Sequence, residues 1–378
     1  MTGRSARLLV AGVVLAGLVA GCSSTGTAAP TSPADVATAA TAESTPTSAA
    51  EPSSVAAPAA PPSTAPTSSS AAEPVPPPVV APAPAPGPAA AVPPGGLVTS
   101  EDMAAASAAV ATMSVADQAG AVVMVSSADA VGTDLVSQLH LGGVILMGSK
   151  GAIDGTAGGT PEEVAAVTAE LQSQVPASQA GAPLLIATDQ EYGLVTRLVN
   201  GFTDFPGAEE LSGIDDTATA AAQTQAVTAA AGAEMLAVGV NVDFAPDADV
   251  LPESGPSGVD DRSFGSDPDR AGTLVAAAVR GYQSAGLAAT IKHFPGIGRT
   301  ATDTHKALPT LDETCEEWNA VESVPMRAGV DAGVALVMTG HIALPAVGVA
   351  GESSALASAA VTDLLKGNGV AGCDGLNF

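Results

Sequence analysis

Asp303 and His305 stand two residues apart in the stretch Lys292-His293-Phe294-Pro295-Gly296-Ile297-Gly298-Arg299-Thr300-Ala301-Thr302-Asp303-Thr304-His305. Pro295, Gly296 and Gly298 force a loop after an apolar run. In a bent loop a carboxylate at this spacing reaches one imidazole nitrogen. Such a bond fixes the tautomer and raises the pKa of the ring, which suits general acid–base work. The same pattern also describes a surface histidine beside an aspartate, the commoner case, so the pair alone leaves its chemistry open. More polar residues fall at comparable places. Asp189, Asp247, Asp249, Lys292, His293, His341 and Asp374 each lie at or just past the end of a short apolar run. One aspartate there reads as a turn or cap; seven such residues read as a shared site.

The runs that must position them are 119–126, 141–147, 183–189, 240–245, 287–293 and 334–341, with a weaker seventh at 370–374. Each is short and nearly continuously apolar, as expected of strands covered on both faces. Ala-rich, helix-favouring stretches such as 161–173 and 218–236 separate them, and this alternation predicts parallel βαβ units. Six or seven units favour an α/β, (β/α)8 TIM-barrel-like fold, cut short after about the seventh strand. In such a barrel the strand C-termini carry the active site. No G-x-G-x-x-G follows the first run, which disfavours a dinucleotide-binding sheet. An open sheet would expose a strand edge.

The 378 residues divide unevenly. All nine aromatic residues lie at or after Tyr192, and residues 23–97 hold 18 of the 30 prolines, four acidic residues and no Lys or Arg. That composition predicts an extended, disordered Ala/Pro/Ser/Thr-rich linker, with the folded domain at 98–378. Residues 1–22 carry Arg4 and Arg7 before a 13-residue apolar run, Leu8–Ala20, too short for a comfortable membrane span and right for a signal segment. It ends Val19-Ala20-Gly21-Cys22, which resembles a bacterial lipobox. That resemblance implies cleavage before Cys22, acylation of its sulfur and amine, and anchorage to the outer face of the cell membrane. An ordinary secretory signal ending at a Cys is the alternative. Twelve basic against 39 acidic residues, a formal net charge of −27, argue against nucleic acid as a partner. Cys315 and Cys373 can be read as one disulfide or as two buried thiols; spacing does not choose.

The loop at 292–305 closely resembles the K-H-F-P-G-x-G…D-T-H segment of the family 3 glycoside hydrolases, in their β-N-acetylglucosaminidase branch. Other segments agree in family order. They are Asp189-Gln190-Glu191 with Arg197-Leu198, Asn241–Val250 (NVDFAPDADV), Asp261–Pro268 (DRSFGSDP), Val337–His341 (VMTGH) and Asp374–Phe378 (DGLNF). The resemblance spans essentially all of 98–378. Ile297 stands where the branch has His, Tyr192 where it has Gly, and Leu194 where it has Arg. The resemblance implies retaining hydrolysis of terminal GlcNAc from peptidoglycan fragments, with Asp374 as nucleophile, His305 as general acid and base, and Asp303 orienting it. It further implies that Asp189, Arg197, Arg262, Lys292 and His293 bind the sugar. A local reading pairs Arg262 with Asp260, Asp261 or Asp267. No metal is expected, because the spacing of His293, His305 and His341 offers no ligand motif, and no cofactor, because the two displacements the resemblance implies need only a carboxylate, an imidazole and water. The alternatives are a non-catalytic sugar-binding surface lipoprotein descended from such an enzyme, and a β-glucosidase.

Overall fold

Helices start where the chain supplies a hydroxyl and, three residues on, a carboxylate. In the computed structural model, which describes residues 99–148, 159–179, 182–370 and 372–378, reciprocal caps form at Thr99/Asp102, Ser114/Asp117, Thr160/Glu163 and Thr314/Glu317. The expected leader 1–22, the linker 23–97 and Cys22 lie outside the described residues. The first elements are α1 (Ser100–Thr112), α2 (Val115–Ala121), β1 (Met124–Ser126), α3 (Ser127–Ala130), α4 (Leu135–Leu139) and β2 (Gly143–Leu146). Then come α5 (Pro161–Ser173), β3 (Leu185–Thr188), α6 (Ala208–Ser212), α7 (Thr217–Ala237), β4 (Val242–Asp243) and α8 (Pro268–Ala285). The last are β5 (Ala288–Phe294), α9 (Cys315–Ala320), α10 (Ser323–Asp331), β6 (Leu336–Thr339), β7 (Gly369–Val370) and β8 (Cys373–Asp374).

Strands β1 to β6 pair in sequence order, all parallel, so each crossover places its helices on one face. Register assigns the two faces. Val144, Ile186 and Ile291 join the large core beneath the helices, whereas Ala187, Val242 and Ala288 form a smaller cluster on the other face with Met124, Ile145 and Leu336. The period of two therefore splits each run between an outer and an inner layer, as in a barrel wall. Helix α8 supplies Leu274, Val275, Ala278, Val279 and Tyr282 to the outer core and ends at Gly286, whose φ of 98° only glycine adopts cheaply. Helix α7 meets α8 closely because Gly281 lies against Thr228, where a Cβ would fall 1.9 Å from the hydroxyl oxygen.

The expected seventh strand is different. Residues 369–374 do not extend the parallel sheet; β7 and β8 make a separate antiparallel pair. The physical reason is visible in the sequence. Gly367, Gly369 and Gly372 punctuate a short, weakly apolar stretch, and Gly369 and Gly372 take φ values of 107° and 89° that suit a turn rather than a strand. A Cys315–Cys373 disulfide, closing 58 residues, pins this hairpin to α9. Among the described residues no helix is long and apolar enough to cross a membrane.

Candidate active site

The ends of β3, β4 and β5 bring together residues far apart in the chain. Lys292 lies in β5, 1% exposed, and its ammonium donates to Asp189 Oδ1 at 2.8 Å and meets Glu191 Oε1 at 2.5 Å. Asp189 and Glu191 are two apart just past β3, so an extended chain turns both toward one cation. Arg262, from a turn at Asp260–Arg262, grips Glu191 through Nε (2.7 Å) and Nη2 (3.0 Å). This bidentate pair replaces the local partners expected of Arg262. A hydroxyl tie from Ser263 to the Asp249 carbonyl, 2.5 Å, fastens that turn to the segment after β4.

His293 follows Lys292, yet both side chains enter the cluster. The β5–β6 register shifts between Lys292 and Phe294, and the bulge breaks strict alternation. His293 Nδ1 donates to Asp249 Oδ2 at 2.7 Å, and Nε2 faces Arg262 Nη2 at 3.3 Å. Arg262 can only donate, so Nε2 accepts and the ring is neutral. Burial agrees, holding the His293 pKa at about 4. Asp249 Oδ1 also accepts the backbone N–H of the buried Ile297 at 2.7 Å.

The electrostatics are those of a nearly closed ion cage. Burial pushes Glu191 up, but Lys292 and Arg262 together outweigh it and hold its carboxyl at about 2. Lys292 and Arg262 are in turn raised, because the carboxylates outweigh burial. Burial raises Asp249 to about 6, and burial and Asp249 push Asp247 well above the usual range. Asp247 Oδ2 makes no hydrogen bond and lies 3.7 Å from both Arg262 Nη2 and His293 Nδ1. Asp247, Asp249 and His293 place one ligand-type atom each within 4.8 Å of one another, a grouping that excludes His305 and His341. Arg262 stands against this trio and answers its charge from within the protein.

Depth sorts the residues. Asp189, Arg197, Arg262 and His293 keep 16, 24, 14 and 14% of their side chains exposed, whereas Lys292 and Glu191 keep 1 and 3%. Arg197 stands 3.9 Å from Asp189 and donates to the Gly148 carbonyl at 2.8 Å. Gln190 orders the Arg197 loop by accepting from the N–H groups of Arg197 and Leu198 at 2.9 and 2.8 Å. The sequence reading passed over Glu191, the residue shared by Lys292 and Arg262. Its signal was the i, i+2 repeat of carboxylates in Asp189-Gln190-Glu191.

The remaining candidates stand apart. Asp303 and His305 occupy the loop between β5 and α9, joined by Nδ1···Oδ1 at 3.0 Å, with 86% of the His305 side chain exposed. Lys306 and the His305 N–H hold Asp303 below the usual carboxylate range. Asp374 is exposed on β8, its N–H donating to Asn319 of α9 at 2.9 Å. His341, past β6, is exposed. Among the described residues no hydrogen bond or ion pair joins Asp303, His305 or Asp374 to the buried cluster.

A six-stranded parallel barrel wall with a charged site at its strand ends defines a (β/α)8-type domain. Residues 114–377 match the glycosyl hydrolase family 3 N-terminal domain, and the chain belongs to that family. It is similar to a β-hexosaminidase of Stenotrophomonas maltophilia, 35% identical over 189 residues, which cover 49% of this chain and 55% of that protein. Among solved structures it resembles a family 3 β-N-acetylglucosaminidase from Paenibacillus, 36% identical with a TM-score of 0.59, over 65% of this chain and 45% of that one. It also resembles a β-N-acetylhexosaminidase from Beutenbergia cavernae, 31% identical with a TM-score of 0.58, over 70% of this chain and 77% of that one. The chain thus spans about half the length of the curated relative it matches.

Proposed function

We propose that this domain is a retaining exo-β-N-acetylglucosaminidase acting on terminal GlcNAc of cell-wall fragments. The observation that carries the reading is the layered cluster at the strand ends. Asp189, Arg197, Arg262 and His293 form its solvent-facing rim, and the Lys292–Glu191 pair lies beneath. A rim with a carboxylate acceptor, two guanidinium donors and a neutral imidazole suits vicinal sugar hydroxyls and an acetamido group. Lys292 then acts on the sugar mainly by fixing Asp189. The names of the relatives above support GlcNAc as the sugar.

In this reading the Asp374 carboxylate attacks the anomeric carbon and forms a glycosyl ester. His305, oriented through Nδ1 by Asp303, gives a proton from Nε2 to the departing oxygen. Water then attacks the same carbon, His305 takes its proton, and Asp374 leaves as carboxylate. The reading requires that the β7–β8 hairpin and the 303–305 loop meet the sugar held by the rim. Export and acylation at Cys22 would tether the domain at the outer face of the membrane. A Cys22→Ala chain recovered in the soluble fraction supports that tether; one still in the membrane fraction removes it.

The exposed position of Asp374 favours one second reading, a sugar-binding domain without turnover. Hydrolysis of a chromogenic β-N-acetylglucosaminide by the full chain, beside Asp374→Asn and His305→Ala, separates the two. Turnover with retained anomeric configuration, lost in both variants, supports the enzyme. Binding of GlcNAc without turnover, abolished by Asp189→Ala, supports the second.

A further inference from the structure

The loop between β5 and α9 is fixed at its two feet and free at its crest. The first foot is held by the Trp318 indole N–H donating to the Pro295 carbonyl at 2.8 Å and by the Gly258 N–H donating to the Thr300 carbonyl at 2.8 Å. The second is held by a backbone exchange between Pro309–Leu311 and Ala343, at 2.9 and 2.8 Å. Between them, residues 301–308 carry Asp303 and His305, and the hydrogen bonds Asp303 makes there stay within the crest.

One side chain bridges the feet. Arg299, at the first foot, donates through Nε to Glu322 Oε1 at 2.6 Å and through Nη2 to Glu322 Oε2 at 3.1 Å. The same Nη2 meets Glu313 of the second foot. Glu322 precedes α10, is 2% exposed, and lies against Gly296, where a Cβ would come within 2.4 Å of its Cγ. Burial and the neighbouring Glu322 push the Glu313 carboxyl above the usual carboxylate range, and the Arg299 guanidinium offsets part of that push. A bidentate pair on a buried carboxylate is a rigid anchor, unlike the screened surface pairs of the crest.

We infer that Arg299 is the positioning residue of the acid–base loop, clasping Glu313 to Glu322 and thereby setting where the loop holds His305. The inference rests on the acid–base role proposed above for His305.

The test compares the full chain with Arg299→Gln, Arg299→Lys and Glu313→Gln on two β-N-acetylglucosaminides. The dinitrophenyl glycoside departs without a proton; the methylumbelliferyl glycoside needs one. A misplaced acid therefore costs about tenfold or more in kcat/KM, which reports the first displacement alone, on the second substrate and less than about twofold on the first. Arg299→Lys recovers part of that loss. Glu313→Gln, which leaves the Arg299–Glu322 pair intact and guards against a fold failure, shows a smaller loss of the same selectivity. Equal losses of kcat/KM on both substrates, or none, overturn the inference. Tryptic cleavage after Lys306 gives an arm independent of turnover: it quickens in Arg299→Gln if the clasp holds the loop, and unchanged cleavage overturns the clasp. A parent chain that turns over neither glycoside defeats the acid–base role, while the proteolysis arm still decides the clasp.

Discussion

The two charged regions of this domain are built on opposite terms. Around Lys292, the carboxylates of Glu191, Asp247 and Asp249 are buried beneath a rim that includes Asp189 and Arg262, and Lys292 and Arg262 each answer more than one carboxylate. Around His305 the charges are exposed and local: Asp303 pairs with neighbours two and three residues on. The first region is rigid because removing any partner strands a charge in low dielectric. The second is free to move because water replaces each partner at little cost. The rim that would hold a ground-state sugar is thus preorganised, while the groups assigned to bond-making sit on segments that must be placed by something else.

The comparison breaks most sharply on activity. Asp374→Asn and His305→Ala should lower kcat on the methylumbelliferyl glycoside by about 10²–10⁴-fold while leaving the denaturation midpoint where it was. A fall in midpoint would place these residues with the buried cluster. Glu191→Ala should do the reverse in kind, destabilising the fold by about 3–5 kcal/mol because Lys292 and Arg262 lose their shared carboxylate. Urea unfolding monitored at Trp318 reads this, and a loss below about 1 kcal/mol would remove the cage from the argument. Reduction of Cys315–Cys373 should cost about 2–4 kcal/mol, from the 58-residue closure. If the hairpin serves only Asp374, kcat should fall further than that loss of stability explains.

A smaller effect sharpens the picture by its sign. His293 is depressed to about 4 from 6.5, so the stability from its neutral ring is full above pH 6.5 and is lost as pH falls through 4. Asp249 is raised to about 6 from 3.8, so its contribution runs oppositely, present below 3.8 and lost as pH rises through 6. The wild-type profile should therefore be shallow between pH 4 and 6, and Asp249→Asn should steepen the acid loss, by on the order of 1 kcal/mol per pH unit. A wild-type profile as steep as the variant's would dissolve the coupling. Last, Asp303→Asn should leave stability unchanged in the same unfolding assay, since water surrounds that pair.

Much of the wall was legible because strands and helices follow local patterning. The apolar runs at 183–189 and 287–293 and the Ala-rich stretch at 161–173 name their elements directly. Legibility faded where local preference is weak. The glycines around 367–372 allow strand or turn, and only competition for pairing sends 369–374 into its own hairpin. The site was half legible for a related reason. Asp189, Lys292 and His293 announce themselves as polar residues at strand ends, and Arg262 through the motif that resembles the family's, but their partners do not. Nothing local tells Arg262 to pass over Asp260 and Asp261 and reach Glu191, 71 residues earlier.

What the sequence determined by itself is the order of alternating strands and helices, the family, and the chemical types gathered at the strand ends. The order and the gathered types rest on short apolar runs and turn residues, which act over a few positions, and the family rests on its ordered motifs. What only the tertiary structure decided is which charge meets which. Lys292 finds Asp189 across 103 residues because the parallel register of β3, β4 and β5 sets their ends side by side. In that buried space, strength depends on distance and desolvation rather than on sequence neighbourhood, so the cage exists only once the sheet is formed.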